Sequence, residues 1–139
     1  MNNIQKLAAL GQSIWIDNIQ RKMLTAGGLQ AMIDEGLLGM TSNPTIFEKA
    51  IGSSSDYDAA MRPLVDRDAT AEQIFDALTI EDVGMAADIF RPVFDRTQGK
   101  DGYVSIEVSP KLARDTAGTL ADARRLWQTL KRPNVMIKI

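Results

Sequence analysis

The run Val135-Met136-Ile137-Lys138-Ile139 decides how this chain is built. Aliphatic residues at successive rather than alternate positions suit a parallel strand buried on both faces. Lys138 stands out within it. An amine flanked by aliphatic side chains either reaches water or gives up part of its preference for the charged form, and the free amine can attack a carbonyl carbon to form a Schiff base. The plainer reading is an edge-strand lysine that discourages unwanted strand pairing. On this stretch alone both readings stay open.

Working outward, Ser13–Asp17, Leu37–Asn43, Tyr103–Val108 and Asn134–Ile139 read as strands, the second being the weakest because it carries Gly39 and Met40. Helical periodicity fills the intervals. Thr116–Leu130 places Leu120, Ala123, Trp127 and Leu130 on one face, with Arg124, Arg125 and Gln128 on the other. A helix begins near Thr70, where Thr70-Ala71-Glu72-Gln73 has capping-box spacing, and another is expected over Glu81–Asp95, kinked by Pro92. Shorter helices fit Leu29–Asp34, Thr45–Ala50 and Tyr57–Val65, and Met1 to Gly11 is helical in character. Strands alternating with helices predict an α/β fold, a parallel sheet with outer helices, in one domain over residues 1–139.

Composition narrows the function. The chain is 45% hydrophobic and 24% charged, with a formal charge of -2 spread among acids and bases. There is no basic stripe for a nucleic-acid backbone, no polybasic membrane anchor, no signal-peptide core and no run of transmembrane length. A cytoplasmic protein is expected. The sequence holds no cysteine and no histidine, which excludes disulfides, thiol nucleophiles, the usual zinc sites and imidazole-based triads. No Asp-x-Asp pair lies beside a phosphate-cradling glycine loop. The chemistry must run on Lys, Asp, Glu, Ser, Thr, Tyr or Asn.

Each strand segment carries such a group toward its C-terminal side: Asp17, then Thr41 and Asn43, then Ser105 and Glu107, then Lys138. Side chains two apart on a strand share a face, so these groups are expected at one end of one sheet face. That is where (β/α) barrels collect catalytic residues from several strands. Asp17-Asn18 and Ser42-Asn43-Pro44 also fit a strand end and a helix start. Glu107 requires a partner if it points inward.

At these residues the sequence resembles a transaldolase. The resemblance rests on Ser13-Ile14-Trp15-Ile16-Asp17, Thr41-Ser42-Asn43-Pro44-Thr45-Ile46-Phe47-Glu48-Lys49, Asp101-Gly102-Tyr103-Val104-Ser105-Ile106-Glu107-Val108-Ser109-Pro110 and Arg132-Pro133-Asn134-Val135-Met136-Ile137-Lys138. It covers essentially the whole chain and is nearest to the bacterial branch also found fused to glucose-6-phosphate isomerase. It implies a cofactor-independent (β/α)8 barrel that moves a dihydroxyacetone unit between sugar phosphates of the pentose phosphate pathway. Lys138 would be the Schiff-base lysine, Asp17 would take the C4 hydroxyl proton, and Glu107 would move protons through a water. Asn43 would hold the dihydroxyacetone moiety, with Thr41 and Ser105 as supporting pocket residues.

A full barrel typically needs about 250 residues, so the chain is expected to be an N-terminal part of about four strands, incomplete as a barrel domain and inactive alone. No arginine here is assigned to phosphate. Two further readings stay open: a fructose-6-phosphate-type aldolase, and a non-catalytic half-barrel that binds sugar phosphate or associates as a homo-oligomer.

Overall fold

The four apolar segments pair side by side, in chain order, in a computed structural model that describes residues 1–139. The strands are β1 (Trp15–Asp17), β2 (Gly39–Thr41), β3 (Tyr103–Glu107) and β4 (Val135–Lys138), each inside its expected segment. All neighbours run parallel, in the order β1-β2-β3-β4. The predicted α/β class and parallel sheet are therefore what the chain adopts.

Alternation along the strands sorts the side chains. Ile16, Met40, Val104, Ile106, Val135 and Ile137 face the helices and join or pack against a core of 18 buried residues. Trp15, Asp17, Thr41, Tyr103, Ser105, Glu107, Met136 and Lys138 take the other face. Gly39 belongs to that face for a packing reason: a Cβ there would lie 2.3 Å from Cε2 of Trp15, so the missing side chain makes room for the indole. The sequence feature that weakened β2 as a strand is thus a contact with β1.

The helices are α1 (Asn3–Ala9), α2 (Arg21–Thr25), α3 (Gly28–Glu35), α4 (Pro44–Gly52), α5 (Asp58–Val65), α6 (Ala71–Arg96) and α7 (Thr116–Leu130). Of these, α2 carries no clear periodic signal in the sequence, because it is five residues long. The two helices expected after Thr70 are one helix of 26 residues, α6. No glycine or proline separates Leu78 from Glu81, so nothing interrupts the backbone ladder there. Its start is the anticipated capping box: Gln73 N–H donates to Thr70 Oγ1 and Thr70 N–H donates to Gln73 Oε1. Pro92 lies inside α6 without ending it, between the fully buried Phe90 and Val93.

Helix α7 has the expected bounds but a rotated buried face. Leu126 and Leu130 are buried, whereas Leu120 and Trp127 are about half exposed. Leu126 is one residue, about 100°, from Trp127, so the apolar stripe is wider than the part that meets the sheet.

Between β3 and β4, Asn134 replaces packing with hydrogen bonds: its buried Nδ2 donates to the carbonyls of Ala87 and Gly102. Gly102, at φ +85°, is held so close to α6 that a Cβ would lie 2.4 Å from Phe94 N. Arg132 lies over Gly84 and donates Nε and Nη2 to the two carboxylate oxygens of Asp88, each at 2.7 Å. Hydrogen bonding from Arg132 holds the Asp88 carboxyl below its ordinary value.

The insert between β1 and β3 is tied together by a buried ionic cluster. Arg21 Nε donates to Asp82 Oδ1 at 2.8 Å, and Tyr57 OH donates to Asp82 Oδ2 at 2.7 Å. The Tyr57 oxygen in turn accepts Arg21 N–H at 3.1 Å, and the guanidinium lies 4.9 Å from the Tyr57 ring centroid. Glu81 takes a further Arg21 bond at 2.8 Å. Asp82 is 0% exposed, and burial pushes its carboxyl above the ordinary range against the opposing pull of Tyr57 and Arg21. The cluster joins α2, the 3-10 turn Ser55–Tyr57 and α6.

Asp82→Ala leaves Arg21 buried without its main partner and is expected to cost about 3–5 kcal/mol, whereas Tyr57→Phe removes a hydroxyl and is expected to cost about 1–2 kcal/mol; urea titrations compare them. Because Asp88 is depressed in the folded state, its contribution is whole above its unfolded value near 3.8 and disappears as pH falls through the lower folded value. Arg132→Met is expected to flatten that acid limb of the stability curve, read by thermal unfolding across pH.

Candidate active site

Parallel register places the side chains of Glu107 and Lys138 next to each other. They are partnered residues at the C-terminal ends of β3 and β4, and neighbouring strands lie only about 4.8 Å apart. Lys138 Nζ meets Glu107 Oε1 at 2.6 Å. It also donates to the carbonyl of Ser42 at 2.9 Å. The sequence suggests an amine desolvated by its aliphatic neighbours, but alternation turns Val135 and Ile137 to the helix face. The Lys138 side chain keeps 41% of its surface exposed and Glu107 28%. The amine is held by charge and a carbonyl, in a site open to a small molecule.

Across the sheet the same face carries Asp17 and Thr41, also register partners. Thr41 Oγ1–H donates to Asp17 Oδ1 at 2.5 Å, which orients the carboxylate at the end of β1. Asn43 follows β2 and caps α4, its Oδ1 accepting Ile46 N–H at 3.0 Å with Pro44 at the first helical position. The plain reading of Ser42-Asn43-Pro44 as a helix start is therefore realised. It leaves the Asn43 amide nitrogen without a bond in the cap.

Two hollows meet at Glu107. One is lined by Asp17, Asn43, Thr45 and Glu107 among others. The other is lined by Glu107, Ser109, Thr116, Thr119 and Lys138 among others. The acid that pairs with the lysine thus also borders the hollow of the second acid. Asp17, Thr41, Asn43, Glu107 and Lys138 gather at one end of one face. Ser105 does not reach the mouth: it is 4% exposed and hydrogen-bonded to Ser42.

Ser42 is the participant that sequence reasoning missed. It is 0% exposed; its Oγ–H donates to the Ser105 carbonyl at 2.6 Å, and its N–H reaches Ser105 Oγ at 3.4 Å. Its contact with Lys138 is made by a backbone carbonyl, which residue identity does not reveal.

An amine beside a carboxylate, with a second carboxylate on the same face, has the parts for imine chemistry: a nucleophile, a proton carrier and a second base. A family model described as "Transaldolase/Fructose-6-phosphate aldolase" matches residues 14–139. The chain belongs to this family. Among its relatives, a protein named "Transaldolase" from Acidothermus cellulolyticus is 50% identical over 137 residues, covering 98% of this chain and 37% of the relative. One of the same name from Thiobacillus denitrificans is 44% identical, covering 100% of this chain and 39% of the relative. "Transaldolase 1" of Streptomyces avermitilis is 46% identical, covering 100% and 37%. The chain therefore spans under two fifths of the length of these transaldolase-family relatives.

Asn43→Ala is expected to cost about 1 kcal/mol of stability through loss of the cap, while Asn43→Asp keeps a capping oxygen. Asn43→Asp is expected to retain the melting temperature of the unaltered protein, read by calorimetry.

Proposed function

We propose that these residues carry the Schiff-base part of a transaldolase, within the first four strands of a (β/α)8 barrel. The reaction transfers a dihydroxyacetone unit from sedoheptulose 7-phosphate or fructose 6-phosphate to an aldose phosphate in the pentose phosphate pathway. The observation that carries the reading is the Lys138–Glu107 pair at 2.6 Å, on the sheet face that also holds Asp17. Support comes equally from relatives that bear the name transaldolase over nearly the whole of this chain.

In this reading Lys138 attacks the C2 ketone of the donor. Glu107 moves protons through a water as the carbinolamine loses hydroxide and becomes an iminium. Asp17 takes the C4 hydroxyl proton; the C3–C4 bond breaks, the aldose leaves, and the electron pair enters the iminium as an enamine. Asn43 holds the retained three-carbon unit with its free amide, and Thr41 keeps Asp17 aimed. Ser105 acts from beneath, through Ser42. The enamine then attacks the acceptor aldehyde, and hydrolysis frees Lys138.

The hollow linings contain no arginine, so the donor's phosphate is assigned to none of their side chains. Arg21, Arg125 and Arg132 are engaged with Asp82, Asp76 and Asp88. No helix is long and apolar enough to cross a membrane, and sugar-phosphate metabolism places the protein in the cytoplasm in this reading.

In a protein extended to the length of its relatives, borohydride trapping with fructose 6-phosphate is expected to leave a reduced dihydroxyacetone adduct on Lys138, located by peptide mass spectrometry, and Lys138→Met to abolish it. Asp17→Asn is expected to form the imine yet slow C3–C4 cleavage by about 10² to 10⁴-fold. Cleavage that survives Lys138→Met would defeat the assignment.

A further inference from the structure

We propose that Ser42, locked to Ser105, is the positioning residue of the Lys138 amine, and that its backbone carbonyl aims the amine without taking its proton. The inference rests on the Schiff-base reading of Lys138 and adds to it.

Three observations converge. Lys138 Nζ donates to the Ser42 carbonyl at 2.9 Å while meeting Glu107 at 2.6 Å, so its two acceptors differ in kind. A carboxylate can accept a proton outright, whereas an amide carbonyl at ordinary pH only accepts a hydrogen bond. The Ser42 carbonyl is also fixed: the residue is 0% exposed, its hydroxyl donates to the Ser105 carbonyl at 2.6 Å, and its N–H reaches Ser105 Oγ at 3.4 Å. Finally, Ser42 sits between the end of β2 at Thr41 and the α4 cap at Asn43, so it cannot shift without moving both.

This division suits the hydrogen count of imine formation. An ammonium and a ketone give a protonated imine and water: the C=O bond is replaced by C=N, and two of the ammonium's three hydrogens leave in the water. One N–H remains on the iminium. Ser42 offers a stationary acceptor for that last N–H throughout, which frees Glu107 to shuttle the departing protons. Ser105, buried and hydrogen-bonded to Ser42, thereby influences the amine without touching substrate.

The test uses Ser42→Ala, which removes the 2.6 Å bond, and Ser105→Ala, which removes the longer one from the other strand. In a protein extended to the length of its relatives, with dihydroxyacetone and borohydride as the probe, adduct formation at Lys138 is expected to slow about fivefold in Ser42→Ala, and less in Ser105→Ala, as the loss of one hydrogen bond implies. Acetic anhydride labels amines without needing a pocket. Labelling of Lys138, relative to exposed Lys49 and Lys131 in the same molecules, is expected to rise, because a residue-42 carbonyl no longer anchored by a side chain holds the amine less often and leaves it more accessible. Opposite movement of the two rates at an unchanged melting temperature supports positioning, since general loosening would lower the melting temperature. Unchanged relative labelling of Lys138 in both variants overturns the proposal. If labelling responds but the unaltered protein forms no dihydroxyacetone adduct, the positioning of the amine stands and the Schiff-base reading falls.

Discussion

The pairing register between β3 and β4 is the constraint on which the rest of the site depends. It sets Glu107 against Lys138, and the ion pair follows from geometry that the backbone has already imposed. Strand alternation has a period of two, so a slip of one residue would turn Lys138 into the apolar core and Ile137 toward the hollow. Burying an unpaired ammonium is costly, and exposing a row of aliphatics gains nothing. The amine and the core therefore enforce the same register from opposite faces.

That register is anchored at the opposite end of the strands by polar contacts. Asn134 ties the start of β4 to α6 and to Gly102, and Gly102 tolerates a backbone approach that any Cβ would prevent. Earlier in the chain, Arg21, Tyr57 and Asp82 clamp the helices that follow β1 and β2. Such a cluster is a weak source of net stability compared with an apolar core, but removing one member leaves the others buried and unpaired. It fixes where α2 begins, four residues after Asp17. The site is thus supported by specific geometry on either side.

The hydroxyl-bearing residues divide their labour by depth. Thr41, half-buried at the end of β2, donates directly to Asp17. Ser105, two residues before Glu107 on the same strand face, is covered and bonds to its neighbour Ser42. Glu107 borders both hollows, which makes it the link between the amine on β4 and the acid on β1.

Much of this was legible in the sequence for physical reasons. Apolar runs and period-two spacing located all four strands and put Asp17, Thr41, Asn43, Glu107 and Lys138 at one end of one face, because alternation and parallel pairing leave little freedom. Local rules likewise found the Thr70 capping box and the bounds of α7. Contacts between distant segments were decided only by the tertiary structure. Sequence spacing could not reveal that Arg21 would find Asp82, that α7 would bury Leu126 and leave Trp127 half exposed, or that Ser42 would offer its carbonyl to Lys138. Periodicity reports which way a side chain points relative to its own element. What waits there depends on how the elements pack, and for a backbone carbonyl no side chain records the answer.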